Sequence, residues 1–294
     1  MPNNHVIALH GGAGVKPERD YSEVEAHLGD LVSECEAILA DGGSALDTVE
    51  HAVAALEASG LYVAGRGSAP NDQGFIECDA AIMDGARHRA GGVCAAVDIA
   101  QPIKAARAVL EHTPYTLLAG EGARAFAIEQ GLEIVADRDA HYRLPVGVEP
   151  DEMLRLDEGL AHGTVGAVAL DREGRLAAAT STGGLLGKRA GRVGDTPITG
   201  IGNWADGEVA ISCTGIGEAF IYAGGARDVA TRMSYGGASL TGACEALLNE
   251  VARYRGDGGL IAIDRHGSVT LPFNSHGMKR AVAGSAVRRF VGIS

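Results

Sequence analysis

The residues best placed to do chemistry are the hydroxyls of one short stretch. Residues 163–184 read GTVGAVALDREGRLAAATSTGG, with Thr164 directly after Gly163 and with Thr180, Ser181 and Thr182 near the far end. A threonine hydroxyl is a weak nucleophile until a base stands beside it, and one such base is the residue's own α-amino group. That amine has an ordinary pKa of about 7.7–8.0, well suited to general base work near neutrality. It exists only if the Gly163–Thr164 bond is broken. A preceding glycine suits self-cleavage, because it tolerates the backbone geometry that hydroxyl attack on its own carbonyl requires. The residues therefore predict that the chain cuts itself between Gly163 and Thr164 and uses Thr164 as an N-terminal nucleophile. Thr182 can hydrogen-bond the nucleophile and hold its rotamer. Thr214-Gly215, at an expected strand end, can aim a hydroxyl and an N–H at the oxygen of a tetrahedral intermediate. Arg192 and Asp195, in the run GRVGD, match the carboxylate and ammonium of an amino-acid headgroup. Taken alone, that pair reads first as an exposed ion pair on a solvated loop.

Competing chemistries lack their signatures. There is no G-x-S-x-G elbow for a serine triad, and Gly187-Lys188 is followed by Arg189 where a phosphate-binding loop needs Ser or Thr. No G-x-G-x-x-G follows a strand and opens a helix. The ten histidines show no metal-ligand spacing. His10, beside the glycines of HGGAG, reads as an anchor for a loop, which either lines a site or turns a strand into a helix.

The elements that must position these groups follow from periodicity. Val165–Leu170 and Leu176–Ala179 flank a polar Asp171–Arg175 turn, the pattern of a buried β-hairpin. Strand alternation puts Thr180 and Thr182 on one face and Ser181 on the other, so only Thr182 keeps a role. Upstream, Val6–Leu9 is a short strand. Tyr21–Ala40 and Ser44–Ala58 are helical, with Ser44 as N-cap and Leu46, Val49, Val53 and Leu56 as a core stripe. A glycine-punctuated loop over 60–71 leads to strands Phe75–Met83 and Gly92–Val97, then to helices Pro102–Glu111 and Gly120–Gln130. Residues 131–163 lose periodicity and are rich in charge, which marks a linker ending at Thr164. Later come the strand Val209–Cys213, helices over 218–223, 226–234 and 239–254, and a hairpin of Gly259–Asp264 with Ser268–Leu271. Without βαβ alternation, helices layered on antiparallel sheets fit best.

Composition narrows the partners. A formal net charge of −13 argues against nucleic acid or an anionic membrane. Five scattered cysteines with no CxxC read as reduced thiols. No apolar run approaches a membrane span and no secretory signal is visible, so a cytoplasmic protein is expected. The 43 glycines imply many tight turns and close backbone approaches.

At this point the motifs resemble those of the plant-type L-asparaginases, or isoaspartyl peptidases, which are threonine-dependent N-terminal-nucleophile hydrolases. The likeness runs through HGGAG at 10–14, SALD at 44–47, AGRGS at 64–68, DAAIMDG at 79–85, GEGA at 120–123, HGTVGAVALD at 162–171, ATSTGG at 179–184, GRVGD at 191–195, CTGIGE at 213–218 and PFNSHGM near the C-terminus. Only the 131–163 linker lacks a counterpart. The resemblance implies an α/β layered fold, an αββα sandwich with two stacked, mainly antiparallel sheets. It implies cleavage into an α subunit, 1–163, and a β subunit, 164–294, assembled as a dimer of heterodimers. It implies hydrolysis of β-aspartyl dipeptides and of the side-chain amide of L-asparagine through a β-aspartyl ester on Thr164. In that scheme Thr182 orients the nucleophile, Thr214 and Gly215 form the oxyanion hole, Arg192 and Asp195 hold the substrate, and Gly217 walls the pocket. No cofactor takes part. A structural sodium is implied on the backbone carbonyls of Leu56, Glu57, Ser59, Tyr62, Ala64 and Arg66. Two residues depart from the pattern: Val63 stands where Asn is common, and Ile216 where Thr is frequent. The alternatives are a glycosylasparaginase, which typically carries Asp where this chain has Gly163, and a degenerate non-catalytic homologue.

Overall fold

A computed structural model of the chain describes residues 4–146, 148 and 163–294. In chain order it runs β1 (Val6–Ala13), α1 (Ser22–Ala40), α2 (Ala45–Ser59), β2 (Cys78–Asp84), β3 (Arg89–Ala96), α3 (Pro102–His112), β4 (Leu117–Ala119), α4 (Gly120–Glu129), and the short α5 (Arg138–His141). After residue 163 come β5 (Val165–Leu170), β6 (Leu176–Thr182), β7 (Asn203–Ala205), β8 (Val209–Gly215), α6 (Gly217–Ala223), α7 (Gly225–Gly236), α8 (Leu240–Arg253), β9 (Gly258–Asp264), β10 (Val269–Thr270), β11 (Met278–Gly284) and β12 (Val287–Gly292). The protein is mixed α/β with two sheets. One has eight strands in the order β12-β11-β1-β5-β6-β2-β3-β4, and the other four in the order β10-β9-β8-β7. Named strand pairs are antiparallel except β3 with β4.

Side-chain parity decides what each face of the large sheet meets. Ile7 and Leu9 of β1, Val165, Ala167 and Ala169 of β5, and Ala177 and Ala179 of β6 pack with Leu28, Val49, Val53 and Ile103 of α1, α2 and α3. The alternate residues Val6, Ala8, Val168, Leu170, Leu176 and Ala178 pack instead with Ala210, Ile261 and Ile263 of the small sheet. The small sheet's outer face is covered by Phe220, Val229, Leu247 and Val251 of α6, α7 and α8. The expected stripe Leu46, Val49, Val53 and Leu56 is buried.

The expected hairpin forms with Val165 opposite Ser181 and Leu170 opposite Leu176. Its turn is not solvated throughout: Asp171 is buried and accepts the backbone N–H of Glu173, Arg175 and Ala45, each at 3.0 Å. The carboxylate thus ties the hairpin to the first turn of α2, whose N-cap Ser44 accepts from Asp47 N at 3.1 Å.

Several boundaries differ from the expectations. β1 does not end at Leu9 but continues through His10-Gly11-Gly12 to Ala13, with a bulge against β11 between His10 and Ala13. β2 begins at Cys78, not Phe75. β4, β7, β11 and β12 were not expected. In the 131–163 stretch, residues 138–146 are anchored to the 60s loop, through Arg143 N to Arg66 O at 3.0 Å, Val146 N to Leu61 O at 3.2 Å and Arg66 Nε to His141 O at 2.9 Å. The remainder of the linker, residue 147 and residues 149–162, lies outside the described residues. No helix among those described is long and apolar enough to cross a membrane.

Candidate active site

Gly163 and Thr164 enter β5 directly beside the end of β6. The Thr182 hydroxyl donates to the Gly163 carbonyl at 2.7 Å and accepts the N–H of Gly184 at 2.9 Å. In the continuous chain it therefore engages the Gly163 carbonyl, not the Thr164 side chain as expected. Gly12 lies against the same junction with φ +100°. A Cβ there would stand 3.1 Å from Gly163 Cα and 3.2 Å from Thr164 N, so only glycine brings β1 this close. The Val63 side chain packs on the other side, 2.9 Å from where a Cβ on Gly163 would be. The small cavity here, about 10 Å³, is lined by Thr164, Thr182, Arg192, Asp195, Gly215 and Gly217 among others.

Behind Thr164 runs a buried chain of hydrogen bonds whose direction can be worked out. His10 Nδ1 lies 3.0 Å from Thr164 O, and a carbonyl only accepts, so Nδ1 carries the proton. Burial drives the His10 pKa down to about 3, so the ring is neutral and Nε2 is an acceptor. Ser212 Oγ, 2.9 Å away, donates to it and in turn accepts from Thr180 Oγ1 at 2.7 Å. Thr180 is thus drawn in behind Thr164, while Ser181 faces the helices. Gly166 lets the chain close, because a Cβ at that position would strike both Ser212 Oγ and His10 Nε2. Composition and spacing gave no sign of this arrangement, since the three residues come from separate strands.

The 191–195 loop is held from beneath. Both carboxylate oxygens of Glu77 accept Gly191 N at 3.0 Å, and Asp79 lies under Gly194. Arg192 and Asp195 do not pair with each other as the surface reading had it. Arg192 pairs with Glu218, and Asp195 is buried with Oδ2 lacking a hydrogen-bond partner among the described residues. Burial raises the Asp195 pKa to about 7, and Arg192 only partly offsets this. A buried, unpaired carboxylate oxygen is costly, and it is well suited to receive a cation. Thr214 is fully buried and its Oγ1 accepts from Ala13 N at 3.2 Å, which leaves its proton available. Gly215 follows at the strand end with φ +149°.

The 56–66 loop bears on the cation expectation. Glu57 is buried, with its carboxylate turned to Ile103 N at 3.0 Å, so only its carbonyl is offered to the loop. Tyr62 O and Gly60 O converge on Gly67, where a Cβ would strike the first and lie 2.9 Å from the second. Tyr62 O and Arg66 O each already accept a backbone N–H, and Ser59 O accepts from the Arg143 guanidinium. Carbonyl oxygens have two lone pairs and are the donor type a hard cation takes, but Ser59 O already faces a positive guanidinium.

The whole chain matches known proteins. The asparaginase family model matches residues 3–293, and the chain belongs to that family. An isoaspartyl peptidase of Salmonella typhimurium is 44% identical over 298 residues, covering 95% of each chain. One from Escherichia coli is 44% identical over 295 residues, covering 94% of this chain and 92% of its own. A human isoaspartyl peptidase/L-asparaginase is 38% identical over 289 residues, covering 95% and 93%.

Proposed function

We propose that this chain is a self-processing hydrolase of β-aspartyl dipeptides and of the side-chain amide of L-asparagine, built as an αββα sandwich. The observation that carries the reading is that the Gly163–Thr164 junction, the Arg192–Asp195 loop and Gly215 line one cavity. In maturation the Thr164 hydroxyl attacks the Gly163 carbonyl carbon, and the C–N bond breaks as a C–O ester forms. The hydroxyl proton ends on the freed nitrogen, and water then hydrolyses the ester to leave fragments 1–163 and 164–294. In turnover the new amine takes the Thr164 hydroxyl proton as Oγ attacks the substrate's β-carbonyl. Thr214 and Gly215 stabilise the oxyanion, Arg192 and Asp195 hold the α-carboxylate and α-ammonium, and the amine returns the proton to the leaving nitrogen. Water then releases aspartate from the ester.

The test is direct. Purified protein is expected to give two fragments on a denaturing gel, the second beginning Thr-Val-Gly-Ala, and to hydrolyse β-aspartyl dipeptides in preference to a β-N-acetylglucosaminyl-asparagine. Full-length protein with high turnover would rule out the N-terminal amine as base.

Asp195 and the Thr164 amine share the acid limb. The ionised form of Asp195 binds the ammonium, and its pKa is raised to about 7, so lowering pH below that value neutralises it and removes binding. The amine, with an ordinary pKa of about 7.7–8.0, is lost as a base over the same range, so kcat/KM, which reports the free enzyme, is expected to fall more steeply than about tenfold per pH unit once both groups are mainly protonated. An analogue lacking the α-amine should show a shallower limb. A KM unchanged between about pH 8 and pH 5.5 would contradict this assignment.

The same reading includes sodium on the carbonyls of Leu56, Glu57, Ser59, Tyr62, Ala64 and Arg66, which would supply only structural rigidity. Thermal midpoints are expected to be higher in sodium chloride than in choline chloride at equal ionic strength, and equal midpoints would dismiss the site. Pairing of two heterodimers, checked by light scattering, and a reducing cytoplasmic setting complete the proposal. The latter is supported by five free, buried cysteines.

A further inference from the structure

Glu218 has no part in the chemistry above, yet it holds the residue on which substrate binding depends. It stands in the first turn of α6 and meets Arg192 with two bonds, Nε to Oε1 at 2.9 Å and Nη2 to Oε2 at 2.7 Å. A guanidinium carries five N–H donors in one rigid plane and can present separate edges to two carboxylates. Glu218 takes the Nε/Nη2 edge, which leaves the Nη1/Nη2 edge with one proton on each nitrogen.

The free edge faces the cavity. A Cβ on Gly194 would lie 2.9 Å from Nη1, and one on Gly217 would lie 3.1 Å from Nη2. Both glycines line the cavity with Thr164. The Glu218 side chain is 48% exposed and that of Arg192 only 16%, so the acid is on the solvent side and the guanidinium points inward. A carboxylate competing with substrate would occupy the inward edge. This one occupies the outward edge, where it fixes direction without blocking approach.

We propose that Glu218 is a positioning residue that aims the Nη1/Nη2 edge of Arg192 at the α-carboxylate of the β-aspartyl substrate. The proposal rests on Arg192 being the carboxylate clamp. Arginine has many rotamers, and ordering one before binding removes a cost otherwise met at each encounter. Glu218 follows Thr214-Gly215 within one short run, so the strand end that forms the oxyanion site also fixes the clamp.

The test uses the matured enzyme, with rates normalised to the amount of Thr164 N-terminus. Glu218→Gln and Glu218→Ala are compared on a β-aspartyl dipeptide and on the same dipeptide with its aspartyl α-carboxylate converted to a carboxamide. For the free acid, KM is expected to rise about ten- to a hundredfold, the scale of a misdirected contact, with kcat within about threefold. The carboxamide should lose less than about twofold, because it makes no use of an aimed carboxylate edge. Should the neutral variants fail to mature, Glu218→Asp keeps the charge on a shorter stem and is expected to raise KM severalfold for the free acid alone. Equal losses on both substrates, or a lower KM on removing Glu218, would overturn the proposal. Arg192→Gln separates the two levels. If it leaves KM unchanged, the clamp reading itself fails. If it raises KM while Glu218→Gln does not, only the positioning role fails.

Discussion

Thr164→Ala is expected to leave a folded, full-length chain with no hydrolytic activity. The hydroxyl and one methyl are removed, and Thr164 lies at the entrance of β5, outside the apolar clusters, so stability should change little. Its loss removes the attacking atom for maturation and for turnover, and with no cut there is no free amine either. Removing the nucleophile of a hydrolase can cost on the order of 10⁶ in kcat, which here takes turnover to background. Thr164→Ser retains an attacking oxygen and should still cut, more slowly. The measurements are a denaturing gel and release of aspartate. Fragments from the alanine variant would place the cut or the nucleophile elsewhere.

Thr182→Val should slow self-cleavage by about 10²–10³, the usual cost of one lost oxyanion donor. The replacement keeps the shape and removes only the hydroxyl that now donates to Gly163 O at 2.7 Å. That bond counts toward rate only to the extent that it strengthens as the carbonyl oxygen gains charge, which a fixed, buried donor does. Gly184 N also loses its acceptor, so Thr182→Ser, which keeps both bonds, is the control. The half-time of fragment appearance after cell-free synthesis distinguishes them. A valine variant that matures at the wild-type rate would remove Thr182 from this step.

Short-range pattern carried the hairpin around residues 165–182, as two apolar runs on either side of a polar turn, and the helices, each with one buried face and a clear period. β11 escaped notice because it lies between β1 and β12 and most of its residues are buried, so MKRAVAG shows no polar alternation. β4 and β7 have three residues each, too few for a period. At the site, the junction threonine and the 191–195 loop were visible as residue types at meaningful spacing. The partners of those residues were not: Glu218 is 26 positions from Arg192, and Ser212 is 202 from His10. Such pairs are set by register between distant strands and by helix placement, which local sequence does not encode. His10 was legible as an anchor, but not that it anchors the backbone carbonyl of Thr164.

The strand order β12-β11-β1-β5-β6-β2-β3-β4 has a further consequence for a chain cut after residue 163. β1 belongs to the first fragment, yet both its neighbours, β11 and β5, belong to the second. The two products are interleaved within a single sheet, and pulling them apart means stripping two full ladders from β1 and the ladder between β2 and β6. Severing the backbone therefore creates a new chain end without creating a separable subunit.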